Sequence, residues 1–327
     1  MPVPTARIRG FAAVMNPVRT LLLAACILTI PASAAEPVAV REGRQVVVRA
    51  GDREVLRYQS EPGELPRPDI KELFRRGGYI QSLRTPSGRL VTDDFPPNHI
   101  HHHGVWTPWT RTVFEGRKPD FWNMGDGTGR VEFVAVGGIW SKDGRAGFTA
   151  RHRFIDMTAK PEKVALLETW EVVVSVAGDR HVVDLSLTQT CAGASPLKLP
   201  EYHYGGFGFR GHRGWDGAAN CRFLTASGKT GRDQVNGSRE PWCWVGGKVD
   251  GATCGVTILG HPSNFRAPQP VRAHPAEPFF SFAPQQLGDM EIVPGKPYTA
   301  RFRIIATDGE PDPKAAAKWA EEFAAEK

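Results

Sequence analysis

The chain reads as an all-β protein, a large antiparallel β-sandwich closed by a C-terminal helix. Three observations predict this. β-Branched and aromatic runs of five to ten residues recur from Val38 to Ile305, a composition suited to a pleated, half-buried surface. Turn formers punctuate the runs, and the chain carries 35 Gly and 27 Pro, so connections are short and frequent. Polar and apolar residues alternate within runs, as in Asp184-Leu185-Ser186-Leu187-Thr188. That pattern gives a strand one wet and one dry face, and hence antiparallel pairing.

Residues 1–34 read as an export signal outside the fold. Arg19 precedes the apolar run Leu21 to Ile30, Pro31 ends it, and Ala32-Ser33-Ala34 supplies a small-x-small cleavage pattern. Met15 to Ala34 would be a complete signal by itself, and Leu23-Ala24-Ala25-Cys26 is similar to a lipobox. The apolar run is too short to span a bilayer, so no integral membrane segment is expected in the mature chain. Removing these residues deletes Arg7, Arg9 and Arg19 and no acid, so 41 basic against 35 acidic residues (+6) becomes 38 against 35 (+3). So thin an excess, with no basic stripe, excludes nucleic acid as the expected partner. The protein is expected to be periplasmic or secreted, with residues 35–327 forming one domain.

Strands are expected at Val38–Val40, Gln45–Arg49, Glu54–Tyr58, Val131–Val136, Phe148–Phe154, Val164–Val176, His181–Thr190, Gly255–Leu259 and Tyr298–Ile305. Ile70–Arg76 is a short helical stretch. Asp312–Ala325, with Pro313 in its first turn, is the C-terminal helix, whose Trp319 and Phe323 share one face. Cys191, Cys221, Cys243 and Cys254 allow three disulfide connectivities in an oxidising compartment. The hairpin-like spacing of Cys243 and Cys254 favours that pair. No CxxC spacing supports a cysteine zinc site.

Chemistry concentrates in a few segments. Asn98 to Trp106 holds His99, His101, His102 and His103, four of the ten histidines. If the segment is extended, His99, His101 and His103 share a face and could hold a divalent metal, or one imidazole could act as a general base. The alternative is an exposed or hydrogen-bonded polar strand end. Glu201 to His212 contributes His203, Tyr204 and Arg210 for acid/base and anion-stabilising roles. Gly260 to Arg266 contributes His261 and Asn264 at a strand end, with His274 ten residues beyond Asn264. Trp106, Trp109 and Trp122 offer aromatic faces for a sugar ring, or are core. Trp170, in an alternating strand, is core. There is no Gly-x-Ser-x-Gly elbow and no evident carboxylate pair for glycoside cleavage.

The chain resembles the exported bacterial proteins labelled "methane oxygenase PmoA", or PmoA-like, a family of unknown function. Asn98-His99-Ile100-His101-His102-His103-Gly104-Val105-Trp106 is similar to the family's Asp-His-Pro-His-His-Arg/Lys-Gly-Leu-Trp. Asn98, Ile100 and His103 depart from it. Thr85-Pro86-Ser87-Gly88, Phe121-Trp122, the segment ending at Arg210, Trp242 and His261-Pro262-x-Asn264 are looser matches, and the resemblance spans Gly78 to Phe323. It implies a sugar-acting sandwich of the mutarotase-like supersandwich type. Three readings follow. The first is a carbohydrate-active enzyme (hydrolase, lyase or epimerase) with His99, His101, His102, Tyr204, Arg210 and His261 catalytic, and Trp106, Trp122, His203, Asn264 and His274 binding substrate. The second is a non-catalytic sugar-binding module. The third is a metal- or copper-binding protein using His99, His101 and His103.

Overall fold

A computed structural model describes residues 1–6, 10 and 35–326. The expected export signal, its cleavage site and the lipobox lie mostly outside the described residues. The chain divides into the units Met1–Ser33 and Ala34–Lys327, and the second holds every described strand and helix. No described helix is long and apolar enough to cross a membrane.

Two eight-stranded antiparallel sheets make up the second unit. One runs, edge to edge, through Pro37–Glu42, Gln45–Ala50, Arg53–Gln59, Tyr79–Leu83, Val105–Trp106, Phe207–Arg210, Phe279–Phe282 and Val271–Ala273. The other runs through Cys221–Thr225, Trp242–Val249, Ala252–Gly260, Tyr298–Asp308, Arg180–Cys191, Lys163–Ala177, Arg145–Asp156 and Gly129–Lys142. The dry faces of both meet in one core that joins Val46, Leu56 and Phe209 to Trp170, Leu185 and Phe302, the sandwich the alternation predicts. A small sheet of Met290–Ile292, Leu197–Leu199 and Val113–Phe114 completes it.

A fully buried polar chain crosses this core. Tyr58 donates to His152 Nε2 (2.6 Å), His152 Nδ1 donates to Glu168 (2.8 Å), and Thr107 and Gln189 donate to the other Glu168 oxygen (both 2.7 Å). Every link has a partner, which is what keeps a buried carboxylate tolerable.

The C-terminal helix spans Pro313–Ala325, and the Asp312 carboxylate accepts from the Lys314 and Ala315 amides as its N-cap. Phe323 is buried against Trp242, Leu259 and Ile305, with Trp319 beside it. The stretch Ile70–Arg76 forms only a single 3₁₀ turn, Glu72–Phe74, and none of that turn's residues is buried, so no packing supports a longer helix.

The expected Cys243–Cys254 bridge is absent, and all four described cysteines are free thiols. The hairpin exists, but its register sets Cys243 opposite Ile258 and Cys254 opposite Gly247, four residues apart along the ladder. That offset is about 13 Å at strand rise, beyond the roughly 7 Å Cα limit for a disulfide. Thiol titration in denaturant is therefore expected to find Cys191, Cys221, Cys243 and Cys254 reduced. The melting temperature should be the same with and without dithiothreitol, and a shift of several degrees would contradict the free-thiol assignment.

Candidate active site

The histidine segment is not extended. His99 N–H donates to Pro96 O (3.1 Å) and His102 N–H to His99 O (2.8 Å), so two successive turns carry the chain from Pro96 to His102. Period-two facing does not apply, and the expected face of His99, His101 and His103 does not form. His99, His101 and His102 project together, with ring centroids 4.7–5.6 Å apart. His103 turns the other way, donating to Asp94 (2.6 Å) while stacked on Tyr79. It cannot join a metal set with His99 and His101.

The three grouped imidazoles form one side of a cavity of about 190 Å³. Trp122, Phe279 and Tyr204 supply aromatic wall, and Asn123, His203, Arg272 and His274 complete the lining. His102 is sandwiched between His99 and Phe279, at 4.7 and 4.9 Å between centroids. Trp106 is fully buried beneath it, 5.2 Å from His102 and 4.9 Å from Trp122. Trp106 thus supports the wall and offers no face to a ligand; Trp109 is buried in a different cluster. Glycine is required at position 208, where a Cβ would come within 2.8 Å of the Trp122 ring. The Trp122–Asn123 turn is held by Asp120, whose Oδ1 accepts from both their amides.

Electrostatics divide the pocket's roles. Burial, then the neighbouring imidazoles His99 and His103, push His101 down to about 4, and burial takes His102 well below its ordinary value. Both are neutral imidazoles at neutral pH. Burial raises the Tyr204 phenol to about 12, keeping it a proton donor within reach of Asn123 Oδ1 (3.3 Å). His274 Nδ1 accepts from the Ala276 and Glu277 amides (3.3 and 3.1 Å). Its neutral form therefore carries the proton on Nε2, where it is a donor.

Behind the pocket sits Glu277, which sequence reasoning missed. Its Oε1 lies 2.8 Å from His99 Nδ1 and accepts from Asn98 Nδ2 (2.9 Å), while Oε2 accepts from Arg210 (2.6 Å). The His99 contact is short but bent, with the carboxylate off the axis of the ring N–H. Burial pushes the Glu277 carboxyl up, but His99 and Arg210 outweigh it and hold it at about 2. Arg210, expected in the site, is fully buried on the central strand Phe207–Arg210 and bonds Glu277 and Asp216 (2.6 Å each). It positions Glu277 and does not line the cavity. The remaining expected residues, His261 and Asn264, lie elsewhere. His261 packs on Phe323 and bonds Glu326 O (3.1 Å), and Asn264 brackets the backbone of Arg301. Both anchor the C-terminal helix and the neighbouring strand.

Arg272, which the sequence reading did not single out, lies two residues before the expected His274 around the short strand Val271–Ala273, and Glu277 follows His274 by three residues. Donor atoms of His99, His274 and Glu277 lie within 4.8 Å of one another, close enough to surround one cation. The Nε2 proton on His274 makes it the weakest member of such a set.

Solved structures to which the chain is similar include a galactose mutarotase related enzyme from Lactobacillus acidophilus (10% identity, TM-score 0.37, covering 84% of this chain and 97% of that one). A galactose mutarotase-like protein from Clostridium acetobutylicum is also similar (10%, 0.41, 84% and 99%). So is the GH36 alpha-galactosidase AgaA from Geobacillus stearothermophilus (12%, 0.38, 84% and 41%). No curated protein matches the chain. Residues 45–321 match a family described as a family of unknown function, DUF6807.

Proposed function

The chain belongs to DUF6807, a family of unknown function, and from that premise we propose that it is an enzyme moving a proton on a single sugar ring held in the histidine pocket. One observation carries the proposal: His99, His101, His102, His203, Tyr204 and His274 converge with Trp122 on one cavity of about 190 Å³. That volume is below the roughly 300 Å³ at which drug-sized sites begin, which suits one small ring. Trp122 and Phe279, almost fully buried, form the apolar floor beneath a sugar's C–H surface, and the amide, phenol and imidazoles meet its hydroxyls.

In this reading His99 Nε2 is the general base. Glu277, 2.8 Å from Nδ1, favours the proton there and stabilises the imidazolium that forms. Tyr204 and His274 donate to the oxygen on which negative charge develops. Among the described residues no Asp or Glu lines the cavity, so cleavage by paired carboxylates has no support here. Proton abstraction of the epimerase or lyase kind fits better. The PmoA-like resemblance of Asn98–Trp106 falls on this same pocket. We read the place of action as periplasmic or extracellular from the N-terminal apolar segment; the mass of the mature protein tests that.

The test is incubation of the protein with a panel of neutral and acidic monosaccharides in D₂O, read by NMR, alongside calorimetric binding. Binding with solvent deuterium entering a carbon-bound position is the expected result. Binding without exchange or turnover would instead identify a sugar-binding module, and absence of any binding would remove the sugar reading. A second reading, a divalent cation at His99, His274 and Glu277, is favoured by their shared 4.8 Å neighbourhood. Near-stoichiometric metal in the purified protein, lost from a His274→Ala variant, would support it.

A further inference from the structure

The charge balance of the pocket narrows the substrate class, an inference that rests on the sugar reading above. Arg272 projects into the cavity beside His274. Its guanidinium is half-buried and donates to the Asn236 amide oxygen at 3.1 Å. Among the described residues it has no carboxylate within ion-pair distance, in contrast to Arg210 with its two. The nearby acids are engaged elsewhere. Glu277 serves Arg210, Asn98 and His99, and Asp120 accepts from Thr110, the Asn123 side chain and two amides.

A sugar's hydroxyls need acceptors as well as donors, and carboxylates are the strongest acceptors a site can offer. This pocket presents none, and instead keeps a guanidinium without a counter-charge. Partly desolvating an unpaired cation is unfavourable, and an anionic group on the ligand would offset it. The guanidinium's planar fork matches a carboxylate in two-point geometry. We propose that the substrate ring carries a carboxylate, as in a uronic acid, and that Arg272 binds it. Neutralising that group also aids the proposed chemistry. Loss of the proton on the adjacent ring carbon to a base leaves an electron pair that delocalises into the carboxylate. Reprotonation at the same carbon from the opposite face inverts it. Expulsion of an oxygen substituent one carbon further on, with a proton supplied to the leaving oxygen, gives an unsaturated product.

The experiment compares affinities of D-glucuronate and D-galacturonate with those of D-glucose and D-galactose, with D-glucose 6-phosphate as a second anion, by calorimetry on the wild type and Arg272→Gln. A two-point charged contact contributes about 1.5–3 kcal/mol, so uronates should bind roughly 10- to 100-fold more tightly than their neutral partners. In Arg272→Gln, shown folded by circular dichroism and an unchanged melting temperature, that ratio should fall by about tenfold or more. Equal binding of neutral and acidic sugars by the wild type would overturn the acidic-sugar inference and leave the sugar site standing. A preference for the 6-phosphate over glucuronate would overturn the carboxylate assignment. An undiminished ratio in Arg272→Gln would overturn the role of Arg272. Failure of every sugar to bind would remove both this inference and the reading beneath it.

Discussion

Glu277→Ala should lower the unfolding free energy by about 3–5 kcal/mol, the usual cost of removing one partner of a buried ion pair. Arg210 is completely buried, and its side chain donates to Glu277, Asp216 and Asn98. Asp216 is about a third exposed, at 32%, so water shares its charge and it compensates Arg210 less than Glu277 does. The alanine leaves a guanidinium facing an empty space, removes the carboxylate beside His99 and takes away the acceptor of Asn98. Glu277→Gln keeps the volume and an acceptor oxygen, so its loss should be clearly smaller. Urea unfolding reads the difference as a shift in midpoint at constant slope. A Glu277→Ala loss below about 1 kcal/mol, in the range of an exposed pair, would mean that Arg210 is hydrated and that Glu277 is not its main counter-charge.

The second large effect is on rate. His99→Ala should slow solvent exchange or turnover of the substrate sugar by about 10²- to 10⁴-fold, the range a positioned general base contributes. Affinity should change much less, because Trp122, Asn123 and Tyr204 still define the ring's place. His101→Ala serves as the comparison. His101 lines the same cavity but, unlike His99, has no carboxylate at ion-pair distance, so its loss should cost less than that of His99. The reverse order would move the base from His99 to His101. Equal rates in wild type and both variants would remove histidine base catalysis altogether.

Alternation was enough to find the long strands. Phe148–Phe154, Val164–Val176 and His181–Thr190 lie within observed strands of 12 to 15 residues, because one buried face forces period two on the sequence. The same logic failed at the histidines. A run of one residue type has no hydrophobic period, and the turns at Pro96–His102 are decided by backbone hydrogen bonds invisible in residue order. Short central strands such as Val105–Trp106 and Phe207–Arg210, buried on both faces, were legible only as unusual composition. The candidate site was legible in its densest segment and at Tyr204, Trp122, His203 and His274. Glu277 escaped notice because an isolated acid in a Pro-flanked loop has nothing local to mark it. His261 was misplaced because strand-end polar groups look alike whichever end of the sandwich they occupy.

Residue order alone determined what depends on neighbours in the chain: strand-rich character, the capped terminal helix and a cluster of imidazoles. Tertiary structure decided what depends on partners far apart in the chain. It set Glu277 and Arg210 against His99, turned His103 away, left Arg272 without a counter-charge and kept the cysteines apart. Charge pairing and cavity shape act through space, across separations of 67 residues (Arg210–Glu277) to 179 residues (Asn98–Glu277). No local pattern encodes which of many acids and bases the closed sandwich will bring within 3 Å of one another.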